Sequence, residues 1–181
     1  MLIAKERRRN NIAEYVIYMW HIEDLLRALN FDLDKIKIQI VDGFKADEKM
    51  SREMLEWYES LVHMMREQGI TETGHLNMIN NTIAEMEELH QKLLKTSGQN
   101  EYMRLFFFAK PNIMLFKSKS TIPEAGDITI CFNAIYSLLL MNLSGKTISP
   151  DTTESMDTFS NLLALLSVRF KEVEEGSLNL Q

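Results

Sequence analysis

Apolar residues recur along most of this chain at alternating steps of three and four, the spacing that lines one face of an α-helix. The first run is Ile12, Tyr15, Met19, Ile22, Leu26 and Leu29, and it predicts a helix from about Lys5 to Leu29. Asp32 is placed to cap a short second helix through about Val41, with Gly43 closing it. Asp47 starts a third, whose stripe of Met50, Met54, Trp57, Leu61 and Met65 ends at Gly69. A fourth runs from about Gly74 to Thr96 on Leu76, Ile79, Ile83, Met86, His90 and Leu93, with Ser97-Gly98 as its stop.

The fifth helix, roughly Gln99 to Lys117, is apolar on more than one side. Tyr102, Phe106, Ala109, Ile113 and Phe116 form one stripe, and Met103, Phe107 and Met114 form another. Pro111 has no N–H to donate and is expected to kink or split this helix near Phe107 to Lys110. Thr121, Pro123 and Glu124 read as a capping box that opens a sixth helix to about Asn142. Ser149-Pro150 caps a seventh carrying Met156, Phe159, Leu163, Leu166, Phe170 and Val173, and the chain from Gly176 reads as a loose tail.

Strand-like alternation is confined to Ile36, Ile38 and Ile40. The expected fold is therefore all-α: an antiparallel helical bundle of about six to seven helices in a single domain over residues 1–181. No repeat of fixed period and no linker-like change of composition divides the chain.

Composition sharpens this picture. A length of 181 residues with 45% hydrophobic and 25% charged positions suits one globular domain. The twelve methionines fit irregular gaps in a helical core. The net charge of −6 argues against non-specific nucleic-acid binding. The basic group Lys5, Arg7, Arg8 and Arg9 reads as a solvated, frayed terminus. Cys131 is the only cysteine, so neither an internal disulfide nor a thiolate zinc cage can form, and its apolar surroundings suit an inert buried thiol. No charge occurs from Ile128 to Gly145, but Thr129, Asn133, Ser137 and Asn142 interrupt that stretch. A core helix fits it better than a membrane span. With no secretory signal in view, a cytoplasmic location is expected and the sequons at Asn80 and Asn142 carry no meaning.

Few residues suggest chemistry. Gly145-Lys146-Thr147 looks like the end of a phosphate loop, but Leu140 stands where its first glycine belongs and a helix precedes it. Glu87 and His90 form Glu-x-x-His, the spacing that aims two ligands inward in carboxylate-bridged di-iron bundles. Such a centre, for a divalent or iron-type metal, needs a second copy on another helix. Glu72 with His75 straddles the loop around Gly74, and Glu59 with His63 falls on the polar face of the third helix. His21 with Asp24 could add ligands at one-turn spacing. A further possibility is an aromatic cavity for a small ligand at Phe106, Phe107, Phe108 and Trp57.

The first helix carries a different signal. Opposite its main stripe lie Ile17, Trp20, His21 and Asp24, with Tyr18 on one flank. A solvated face holding Glu14 and Arg27 does not require Ile and Trp, so either the chain itself or a partner covers them. The polar series Thr129, Asn133 and Ser137 raises the same alternative on the sixth helix. The expected function is a non-enzymatic interaction protein that self-associates as a homodimer. The metal-dependent reading centred on Glu87 and His90 is the alternative.

The segment NIAEYVIYMWHIEDLLRALNFDLDKI, Asn11 to Ile36, resembles an uncharacterised family of helical proteins of about this length from Bacteroidetes, a domain of unknown function. The later AIYSLLLMNLSGKTISPDT and FSNLLALL share the resemblance. It implies a bacterial, intracellular, all-helical protein and brings no substrate, cofactor or catalytic residue.

Overall fold

The stripes and caps become eight α-helices and no strand among the described residues, 2–180, of the computed structural model. These are α1 (Leu2–Asn10), α2 (Ile12–Ala28), α3 (Leu33–Ile36), α4 (Glu48–Glu67), α5 (Asn77–Lys95), α6 (Asn100–Lys119), α7 (Asp127–Leu143) and α8 (Pro150–Glu174). No helix is long and apolar enough to cross a membrane, among the described residues. The chain forms two compact units, one of residues 1–8 and 14–81 and the other of residues 9–13 and 82–181.

In the first unit, Met19, Ile22 and Leu26 of α2 are buried, and so are Tyr58, Leu61, Val62 and Met65 of α4. The α4 stripe is thus displaced from the expected one: Met50 is exposed in the first turn and Trp57 half-buried, while Tyr58 goes inside. The expected first helix is two helices, broken at Asn11. There the Asn11 Oδ1 accepts the Ala13 N–H at 3.0 Å and so caps α2. Of the N-terminal basic residues, Lys5, Arg8 and Arg9 are exposed as expected, but all four lie within α1 instead of fraying. Arg7 pairs with Glu14 at 3.1 Å and lies over the Tyr18 ring.

After α3, capped by Asp32 as expected, the chain widens into a π turn, Lys37–Val41, then tightens into a 3-10 turn, Asp42–Phe44. At about 3.6 residues per turn, Ile36 and Val41 would point well apart. The wider turn lets both be buried. Gly43 does not close this segment; Lys45 does, at φ +50.

In the second unit α6, α7 and α8 pack on one another, and α5 adds His90, which is fully buried. The inner α6 stripe of Tyr102, Ala109 and Ile113 is buried, and α6 runs unsplit through Pro111. The expected capping box at Thr121 does not form. The helix starts later, at Asp127, because Glu87 of α5 supplies the cap: its Oε2 accepts the Ile128 N–H at 2.9 Å. A Cβ at Gly126 would run into the Glu87 carboxylate and push it off this cap. Ser149 caps α8 as expected. Past Gly176 the tail is tied back, with the Ser177 and Leu178 N–H groups donating to the Glu172 carbonyl.

Candidate functional site

Three places hold the residues singled out above. The first is the inner side of α2. Trp20 is only 2% exposed, and its ring stacks on His75 with centroids 4.3 Å apart. Ile17, His21 and Asp24 are half-buried. Trp20 therefore offers no ring to a partner; the loop before α5 covers it.

That loop is held by two α2 side chains whose role the spacing did not reveal. Glu23 is fully buried. Its Oε1 accepts the Leu76 N–H at 3.0 Å, and its Oε2 lies 2.6 Å from His75 Nδ1. Arg27 donates to the carbonyls of Ile70 and Gly74 and pairs with Asp24 at 2.8 Å, so it is not part of a solvated face. One signal was available: Glu23 sits three residues after Trp20 and one after Ile22, a charge among apolar positions. A buried carboxylate demands donors, and the free N–H groups at the start of α5 meet that demand.

The second place surrounds Glu87 and His90. His90 Nδ1 lies 2.7 Å from the Tyr102 hydroxyl, and its ring is edge-on to Phe106. If the hydroxyl donates to Nδ1, the ring proton sits on Nε2. Nε2 faces Asp127 Oδ2 at 3.8 Å, beyond hydrogen-bond length, so this contact is electrostatic. Lys117 Nζ holds the other Asp127 oxygen at 2.7 Å. His90, and then Lys117, keep the Asp127 carboxyl down at about 2 against the opposing effect of burial. Burial pushes both the Tyr102 hydroxyl and the Cys131 thiol up, with the Asp127 and Glu87 charges adding to both. Cys131 is fully buried, as expected of an inert thiol.

Glu87 and His90 are thus drawn to different partners, one to a helix N-terminus and the other to Tyr102 and Asp127. Among the described residues, no three His, Cys, Asp or Glu side chains converge as a metal would require. His75 belongs to the Glu23 pair, and His63 is exposed and pairs with Glu67 at 3.2 Å.

The third place is the outer face of α6. Phe107 and Phe108 point outward and do not line an enclosed aromatic cavity. With Met103, Met114 and Leu115 they form a strip of apolar residues open to solvent, with the exposed Arg104 and Lys110 among them. Phe107 is 70% exposed and Met114 62%. On α7 the polar series is partly self-satisfied, as Asn133 donates to the Thr129 carbonyl at 2.9 Å.

Comparison with curated proteins and with solved structures gives no match. Residues 1–177 match a family model, and the chain belongs to that family, described as Domain of unknown function (DUF4924).

Proposed function

We propose that this chain is a non-enzymatic interaction protein of the bacterial cytoplasm that acts as a homodimer, joined through the outer face of α6. The observation that carries this is the strip of Met103, Phe107, Phe108, Met114 and Leu115, left in solvent by a helix whose inner stripe is already buried. At about 200 Å² for each large apolar side chain, the strip exposes roughly 550 Å². That is the upper end of what a lone protein carries. Two copies would bury roughly 1,100 Å², just above the threshold of about 1,000 Å² for a biological interface and at the size of a weak one.

A second copy also suits the charges. α6 has Glu101 in its first turn and Lys119 in its last, while Lys117 is engaged by Asp127. A two-fold axis across the middle of the strip makes the two helices antiparallel and sets acidic start against basic end. The bacterial and cytoplasmic parts rest on the sequence resemblance.

The test is light scattering on purified protein at micromolar concentration, with Phe107→Glu and Val168→Glu compared. Val168 is an exposed apolar residue on α8 and serves as the control. The expected result is a dimer for wild type and Val168→Glu, and a folded monomer for Phe107→Glu. A monomeric wild type overturns the dimer, and a dimeric Phe107→Glu removes the α6 strip from it.

A further inference from the structure

The irregular run from Lys37 to Lys45 shapes a cavity in the first unit. The π turn, the 3-10 turn and the left-handed Lys45 together carry Phe44 and Ala46 into its wall. Left-handed backbone at a lysine is disfavoured, so the surroundings must hold it. Part of that hold is visible: Lys37 Nζ pairs with Asp42 at 3.1 Å, and the Lys45 N–H donates to the Asp42 carbonyl. Ile3 of α1 and Met50 and Met54 of α4 complete the apolar lining.

The cavity measures about 330 Å³, at the small end of the range for ligand pockets. Phe44 and Met50 are exposed at it although both are apolar. Two charged residues share the lining, Lys5 of α1 and Glu53 of α4. Both are exposed, and neither has an ion-pair partner among the described residues.

We infer that this cavity is a binding site for a small apolar zwitterion, an aromatic α-amino acid. An apolar ligand with one charge would leave either Lys5 or Glu53 facing a like charge or nothing. A molecule carrying a carboxylate and an ammonium beside an apolar body answers both. An aromatic body matches the lining, because a ring can lie edge-on to Phe44 and against the thioethers of Met50 and Met54. Methionines also adapt their shape, so the site accepts different rings of similar bulk. This inference is independent of the dimer proposed above.

The experiment uses the full chain and three probes: L-phenylalanine, 3-phenylpropionate, which lacks the ammonium, and 2-phenylethylamine, which lacks the carboxylate. Calorimetric titration or ligand-observed NMR reads their affinities. L-Phenylalanine should bind best, with each one-charge analogue weaker by roughly threefold, the worth of one partly screened ion pair. Lys5→Glu should weaken L-phenylalanine and 3-phenylpropionate but not 2-phenylethylamine. Phe44→Ala should abolish binding of all three, with a wild-type melting profile showing that the variant is folded. Absence of L-phenylalanine binding overturns the inference, and so does equal binding of the three probes. Unchanged binding by a folded Phe44→Ala variant would also sink it, by moving the ligand elsewhere.

Discussion

Replacing Asp127 by Asn removes one charge from the buried cluster and leaves the side chain's shape. In the wild type, His90 and Lys117 hold this carboxyl at about 2, against an ordinary value of 3.8. Each tenfold gain in acidity on folding is worth about 1.4 kcal/mol. With a quarter of the side chain exposed, solvent screening trims the total to roughly 2 kcal/mol. The sign follows from proton binding. An aspartate with a depressed native value stabilises the fold fully at pH values above its unfolded one. As the pH falls, the unfolded chain takes up the proton first, and the contribution fades through 3.8 and down to about 2. Urea denaturation of wild type and Asp127→Asn at pH 7 should differ by roughly 2 kcal/mol, with equal slopes. By pH 3 about half of that difference should be gone. A difference that stays constant from pH 7 to pH 3 would refute the assignment of this stability to the Asp127 charge.

Two substitutions test the first unit. Glu23→Leu leaves the Leu76 N–H without its acceptor and His75 without its carboxylate. It should lose about 2 kcal/mol more than Glu23→Gln, which can still accept from Leu76, as read from urea midpoints. Lys45→Gly relieves the left-handed backbone at the end of the 3-10 turn. It should be neutral or stabilise by up to ~1 kcal/mol, because the extra freedom of glycine in the unfolded chain offsets part of the gain; a lower melting temperature would show that the lysine side chain itself is needed.

The helical class was readable because burial repeats with the period of the helix. Every stripe residue from Leu76 through α5 to Leu93 is buried as the spacing predicts. What failed was local chemistry decided by distant residues. Thr121 and Glu124 have the spacing of a cap, yet α7 takes its cap from Glu87, forty-one positions away from Ile128. The same carboxylate has the spacing of a metal ligand, since Glu-x-x-His reads alike whether its partner is an ion or a backbone N–H. Trp20 was ambiguous for a related reason. Helical spacing separates two apolar faces of α2, but it cannot say that the loop containing His75 returns to cover one. On α6 the second stripe was visible as Met103, Phe107 and Met114, and only the structure places it in solvent.

The capping site at Asn11 bears on how the chain is made. Residues 9–13 belong with residues 82–181, although their flanks on both sides belong to the other unit. The Ala13 N–H that Asn11 caps also reaches the buried Ser167 hydroxyl at 3.3 Å, across 154 positions. On a ribosome adding about 5–20 residues per second, this short segment emerges on the order of ten to thirty seconds before its partner on α8. Through that interval the Ala13 N–H has no Ser167 hydroxyl to reach. The earliest part of the second unit to be synthesised is thus among the last to be completed, and a nascent chain halted before α8 would hold it exposed.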